Sequence, residues 1–446
     1  MLTMEIHELG EVIRKARKER GLRLEDLADD NISPATISNI ERGVPHVSQD
    51  KAMYLLKKLD LSLEKIPELM IQERTNLEEL KRKFRAVESL LMSDQINEAL
   101  KLLNTIELEE KHILSSLHHY LLGRCFIEKE KWNRAERSFH RAIQLAAASG
   151  NQSSNIEAVS FHALGYVCYR VNNIDKALQY TDSAISAYAE NGERSYIIWS
   201  TLRNKAIYLE RLGRLTESMN IVQEVWDSLS KIDDVEVRLT FYWLRSDISR
   251  RMGMLDEAIK YAYEGEELAT LNKVYYSSFV LWMVIGNSHL KRNELDQAEF
   301  CFNHSLSLIS KLDNVNKNSL TNLYSRLSVL YMKKDNVEKS FYYIDQAIQN
   351  AKKHNDAPRL IKALIIKGTL LKSTGEREDA IKEFEVALDL SRKYNYKKNE
   401  HLALYHLANC WDGVNEKEFL KYSRSMYLVQ QNLRLNEEEI LDETAI

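Results

Sequence analysis

A small residue recurs at Ala99, Ala135, Ala177, Ser218, Ala258, Ala298, Ser340 and Ala380, in steps of 36, 42, 41, 40, 40, 42 and 40 residues. A period of that size belongs to a stacked repeat, in which one unit is too small to bury its own apolar face and does so against its neighbours. Twelve positions before each of the last seven stands a second small residue: Gly123, Gly165, Ala206, Ser246, Gly286, Ser328 and Gly368. Small residues at that interval let two antiparallel helices cross closely within one unit. Only 14 Gly and 4 Pro interrupt the 446 residues, so long helices meet little opposition and the expected fold class is all-α.

Other classes are disfavoured. Cys125, Cys168, Cys301 and Cys410 stand far apart with no C-x-x-C pair and no His at ligand spacing, so they read as reduced core thiols, and no metal or cofactor is expected. No apolar run approaches the ~18 residues that would cross a bilayer, and a cytoplasmic location is expected. The chain has no phosphate-binding G-x-x-x-x-G-K-[ST], no H-E-x-x-H and no G-x-S-x-G. The adjacent His118 and His119 would point about 100° apart on a helix, which makes a shared ligand difficult. An enzyme is not expected.

The N-terminus departs from the repeat. Ile6, Leu9, Ile13 and Ala16 fall at helical spacing, and Gly21 is placed to cap that helix. A short second helix is expected over Leu24 to Asp29. Asn31 and Ile32 would turn the chain, with Asn31 in the left-handed conformation it tolerates better than most residues. Ser33 then caps a third helix that begins at Pro34, a residue that needs no donor in the first turn, and stops at Gly43. The net charge is −4, but Arg14, Lys15, Arg17, Lys18, Arg20 and Arg23 fall within ten positions. That run reads either as a positive patch for nucleic acid or as a solvated helix face.

These residues resemble the XRE (Cro/C1-type) helix-turn-helix domain, through R-K-A-R-K-E-R-G at Arg14 to Gly21, E-D-L-A at Glu25 to Ala28, T-I-S-N-I-E-R-G at Thr36 to Gly43, and the closing pair Leu56 and Leu59. The spacing before the third helix is one residue shorter than usual, and the customary glycine is missing. In such domains the third helix enters the major groove, which places Ser33, Ala35, Thr36 and Asn39 toward the bases. Asn39 is the strongest candidate for a base contact, since its amide can pair bidentately with adenine; a solvated surface residue is the alternative. Arg23 and Arg42 are candidate phosphate clamps. By the same resemblance, Arg17 and Glu41 pair with each other and tie the first helix to the third.

The repeat itself is similar to the tetratricopeptide repeat, with its period lengthened from 34 to about 40 and aromatic residues at Phe139, Phe302 and Phe384. The resemblance implies a right-handed superhelix whose first helices line a concave face. Inward positions are then Tyr166, Tyr169, Arg203, Trp243, Asp247, Arg250, Asn287, Asn322, Ser325, Lys362, Thr369, Tyr405 and Asn409. An Asn amide offers one donor and one acceptor to an extended peptide backbone, so Asn287 and Asn322 are the first candidates for holding main chain. Arg203 or Lys362 would suit a carboxylate. The last pair, from Asn399 to Gly413 and Glu416 to Leu435, would cap the stack or form a dimer contact through Phe419, Tyr422, Met426, Val429 and Leu433.

Taken together, the chain resembles the RRNPP family of peptide-pheromone-responsive regulators, with the length of its NprR-like branch. The organisation expected is a DNA-binding domain over 1–66, a hinge over 67–80, a solenoid over 81–435 and an acidic tail over 436–446. The partners implied are an operator in double-stranded DNA, a short signalling peptide and a second copy of the chain. Capture of a phosphorelay response regulator or kinase is the alternative.

Overall fold

The computed structural model describes residues 6–43, 49–61, 66–312 and 319–443. The described residues form helices with no extended strand, and they divide into two compact units, 1–233 and 234–446. None of these helices is long and apolar enough to cross a membrane.

The first unit opens with α1 (Ile6–Glu19), a 3-10 turn (Glu25–Leu27), α2 (Pro34–Glu41) and α3 (Gln49–Lys58). Leu9, Val12, Ile13 and Ala16 from α1 meet Leu27, Ile32, Ile37, Ile40, Leu55, Leu56 and Leu59 in one small core. The side chain of Ile6 lies outside the described residues. The expected second helix is shorter than the apolar pattern suggested, a single 3-10 turn, and Leu27 alone of its three residues is buried.

Helical pairs follow: α4 (Ile66–Met92) with α5 (Ile96–Asn104), α6 (Ser115–Glu128) with α7 (Trp132–Ser149), α8 (Ile156–Arg170) with α9 (Ile174–Ser186), and α10 (Ile197–Leu212) with α11 (Leu215–Trp226). The second unit continues with α12 (Val235–Arg251) and α13 (Leu255–Leu271), then α14 (Tyr275–Lys291) and α15 (Leu295–Ser307). It ends with α16 (Leu320–Lys333) and α17 (Val337–Lys353), α18 (Ala357–Ser373) and α19 (Arg377–Lys393), and α20 (Lys397–Trp411) and α21 (Glu416–Glu443).

Eight of these pairs turn in the same way. Five residues before each recurrent small residue the backbone is left-handed, at Asp94, Glu130, Asn172, Gly213, Gly253, Asn293, Asp335 and Gly375. Asn, Asp and Gly dominate because they reach that conformation most cheaply. The small residues themselves sit at the crossings: Ala99, Ala135, Ala177, Ala258, Ala298 and Ala380 are fully buried, as are Ser218 and Ser340. Ser218 donates to the Ala206 carbonyl at 2.7 Å and Ser340 to the Ser328 carbonyl at 2.9 Å, so each hydroxyl is satisfied across the crossing it occupies.

The segment 67–80, expected as a hinge, lies inside the continuous helix α4. Pro67 does not break that helix because it falls in the first turn, where the missing N–H has no intrahelical partner to lose. The stripe on α21 caps the stack: Tyr422 and Val429 are buried, with Phe419, Met426 and Leu433 packed against the same core. Helix α21 runs through most of the segment expected as a tail, and residues 444–446 lie outside the described ones.

Candidate functional site

The reading helix is set by the turn before it. Ser33 is extended and its hydroxyl accepts from the Thr36 N–H at 3.2 Å, with Pro34 opening the helix. Asn31 is not left-handed as expected. The Asp29 carboxylate closes the turn instead, since Oδ1 accepts from the backbone N–H of Asn31 at 2.9 Å and of Ile32 at 3.1 Å. Its Oδ2 accepts from the Tyr54 hydroxyl and from Lys58 Nζ, each at 2.6 Å, which ties α3 to the turn. The Lys58 and Tyr54 hydrogen bonds hold the Asp29 carboxyl well below the usual carboxylate range.

The opposite side of the reading helix is fixed by a buried ion pair. Arg17 Nε donates to Glu41 Oε1 at 2.6 Å and Nη2 to Oε2 at 2.9 Å, while Nη1 reaches the Leu22 carbonyl at 2.7 Å. This two-toothed pair joins α1 to α2, the structural role the resemblance implied, and removes both residues from DNA contact.

Ser33 and Ala35 are exposed, while Thr36 and Asn39 are half-buried on the same helix. Arg23 is exposed. Arg42 is engaged: its guanidinium donates to Asn39 Oδ1 and, at 3.1 Å, to the Ala148 carbonyl at the end of α7. The basic run is also less open than its sequence suggests. Arg14 Nη2 pairs with Glu109 at 2.5 Å, Lys18 pairs with the same carboxylate, and Lys15 pairs with Glu73 at 2.8 Å. With Arg17 committed to Glu41, only Arg20 and Arg23 of the six stay exposed without one of these pairings.

The proposed ligand positions divide between the units. In the first, Tyr166 and Tyr169 lie on α8 and Arg203 on α10. Tyr166 accepts from Arg170 at 2.7 Å, Tyr169 stacks on Tyr208 at 5.1 Å, and Arg203 donates to Asn204 Oδ1 at 2.9 Å. One residue that pattern alone passed over joins them. His162, in the repeat position equivalent to Arg203, lies 3.0 Å from the Thr201 hydroxyl, and burial, with the charges of Arg203 and Arg124, pushes its imidazole down to about 3. It is neutral at physiological pH.

In the second unit, Trp243, Asp247 and Arg250 lie on α12, Asn287 on α14, Asn322 and Ser325 on α16 and Lys362 on α18. Asp247 and Arg250 form an ion pair at 2.6 Å, and Arg326 on α16, not singled out from sequence, is close enough to feel both charges. Ser325 is buried and donates to the Thr321 carbonyl of its own helix at 2.7 Å. Asn322 and Lys362 are exposed. Asn287 Oδ1 is buried yet accepts no hydrogen bond. No group of His, Cys, Asp and Glu among the described residues is placed to hold a metal ion.

Residues 13–66 match the helix-turn-helix family model. No curated protein sequence matches the chain. Among solved structures, the chain is similar to a Rap protein complexed with Competence and Sporulation Factor, at 16% identity and a TM-score of 0.58 over 80% of this chain and 99% of that one. The apo form of RapI gives a TM-score of 0.59 at 14% identity, over 80% and 98%. The apo form of the quorum sensor NprR from B. thuringiensis gives 0.54 at 13% identity, over 84% and 99%. Rap and NprR are members of the RRNPP family, and the resemblance drawn from sequence is met in both parts: an XRE-type helix-turn-helix domain, then TPR-like helical repeats of the Rap and NprR fold.

Proposed function

We propose that this chain is a peptide-responsive transcriptional regulator that binds an operator through α2 and a short signalling peptide on the first-helix faces of its repeats, as a homo-oligomer in the cytoplasm. The observation that carries the ligand half is Asn287. A buried amide oxygen without a partner costs about 1–3 kcal/mol, and an extended peptide backbone supplies the N–H that would satisfy it. Trp243 and the Asp247–Arg250 pair offer an apolar contact and both signs of charge on the same unit. The fold shared with NprR, whose structure is described as a quorum sensor, supports the same reading.

The test is to select operator fragments from genomic DNA with the full-length protein and titrate synthetic peptides encoded beside its gene. Asn39→Ala is expected to lose about 1–3 kcal/mol at the selected site and to relax base preference there. Asn287→Ala is expected to weaken the peptide response while sparing DNA binding. A protein that selects no sequence and answers no peptide would overturn the reading. The shared Rap fold supports a second reading, capture of a phosphorelay response regulator or kinase, and a pull-down against such proteins distinguishes it.

A further inference from the structure

Four contacts between the helix-turn-helix domain and the first repeats fall on three cations that phosphate would seek: Arg14, Lys18 and Arg42. Glu109, in the loop between α5 and α6, holds Arg14 at 2.5 Å and also Lys18. Arg14 reaches the Lys111 carbonyl of the same loop at 3.3 Å. The last carbonyls of α7 carry the negative end of that helix, and one of them, on Ala148, takes Arg42 at 3.1 Å. Arg42 in turn occupies Asn39 Oδ1, the acceptor half of the best base-reading amide. The repeats thus present oxygen to the cations and, through Arg42, to the reading residue of α2.

The joint is thinly packed away from α4. The apolar face of α1 is spent within its own small core, against which Leu69 of α4 also packs, and the first repeats have a separate core centred on Phe84, Val87 and Leu121. Between them lies a cavity of about 490 Å³, with Ser38 and Arg42 on one side and His112, Leu145 and Ala148 on the other. Polar contacts around a void contribute little of the dispersion energy that locks a packed interface. The side chains of Lys18 and Glu109 are 46% and 50% exposed, so their attraction is screened by solvent and weak.

We propose that this joint is a latch: Glu109 and the Ala148 carbonyl stow the helix-turn-helix domain on the first repeats, and DNA releases it by exchanging those oxygens for phosphate oxygens. The inference rests on the DNA-binding reading above. Because the exchange is competitive, whatever loosens the joint raises DNA affinity, and whatever fastens it lowers that affinity by the same thermodynamic coupling.

The experiment uses the full-length protein and a short fluorescein-labelled duplex of arbitrary sequence at low salt. Glu109→Gln frees both Lys18 and Arg14 and is expected to tighten duplex binding by at least roughly two- to five-fold, the weight of the exposed pair with Lys18 alone. It should also speed amide exchange in residues 34–43. A double variant, Lys18→Cys with Glu109→Cys, is then joined by a short bismaleimide, and the joined form is expected to bind the duplex at least roughly ten-fold more weakly than the same variant left unjoined. Equal binding by joined and unjoined forms, with no gain for Glu109→Gln, overturns the latch while leaving DNA binding intact. Faster exchange in Glu109→Gln with no duplex bound by any form overturns instead the DNA reading on which the latch depends.

Discussion

Gly123 faces the Phe139 ring so closely that a Cβ built on it would lie 2.5 Å from the ring edge. The same relationship holds between Gly286 and Phe302 at 2.6 Å and between Gly368 and Phe384 at 2.5 Å. Where the repeat instead offers Val222, Ala262 or Ile344 at the Phe position, the facing residue is Ala206, Ser246 or Ser328. At three of the four glycine crossings the residue is set by the ring opposite it; the fourth, Gly165, faces the Ala177 carbonyl and Thr181 instead. Gly286→Ala is expected to destabilise the second unit by about 1–3 kcal/mol, and Phe302→Leu in the same chain should recover much of that loss. Chemical denaturation of the two single variants and the double variant measures the coupling, and simple additivity would refute the pairing.

The Arg17–Glu41 pair leads to a prediction of opposite character. Glu41 is 3% exposed, so removing its partner strands a buried carboxylate at the end of α2. Arg17→Met is expected to cost about 3–5 kcal/mol in the helix-turn-helix domain, whereas Arg17→Met with Glu41→Leu should cost much less, because neither charge is then left buried alone. Urea titration followed through amide exchange of α1 and α2 reads both. A single variant as stable as the parent would show that water reaches Glu41 freely.

The parts legible in sequence were those written in local spacing. Small residues twelve apart mark each crossing, and Ser33 before Pro34 marks the start of the reading helix, because both signals act within one or two turns of chain. Asp29 was not legible as the closer of the turn, since two of its partners, Tyr54 and Lys58, arrive from α3. The basic run looked open for the same reason. Its acids, Glu73 and Glu109, lie 58 and 91 residues away from Lys15 and Lys18. The segment 67–80 was expected as a hinge but is helical, because proline breaks a helix interior yet is admitted in a first turn, and only the structure places Pro67 there. His162 stands at the repeat position of Arg203, yet its burial and the charges of Arg203 and Arg124 come from other helices and are not written in its own neighbourhood.

His162 makes the first unit sensitive to acid. Its folded imidazole, pushed down to about 3, lies below the ordinary value of 6.5, so between those values the unfolded chain binds a proton that the folded one refuses. Stability is therefore full above about 6.5 and falls as the pH drops toward 3, by up to about 1.4 kcal/mol per pH unit for this one group. Burial also depresses His118 and His119, which add to the same slope. His162→Gln should flatten the loss of melting temperature between roughly pH 6 and pH 4, a window that lies between the folded and unfolded values of the imidazole. An unchanged slope would place the titrating group elsewhere.

Asp29 gives the last prediction, which separates the shape of the turn from its anchoring. Asparagine at 29 keeps an oxygen for the N–H groups of Asn31 and Ile32 but gives up the charge that Lys58 reads, while alanine gives up both. On the proposed function, the ratio of operator affinity to arbitrary-sequence affinity should fall in the order parent, Asp29→Asn, Asp29→Ala, because α2 is aimed less firmly at each step. The pH sign is the reverse of a raised group. A carboxylate held below its usual range contributes above about 4 and loses that contribution as the pH falls through the lower folded value, so the parent should lose specificity on acidification and Asp29→Asn should not show that component. Equal affinity ratios for parent and Asp29→Ala would mean that Ser33 and Pro34 aim the reading helix without help from the turn.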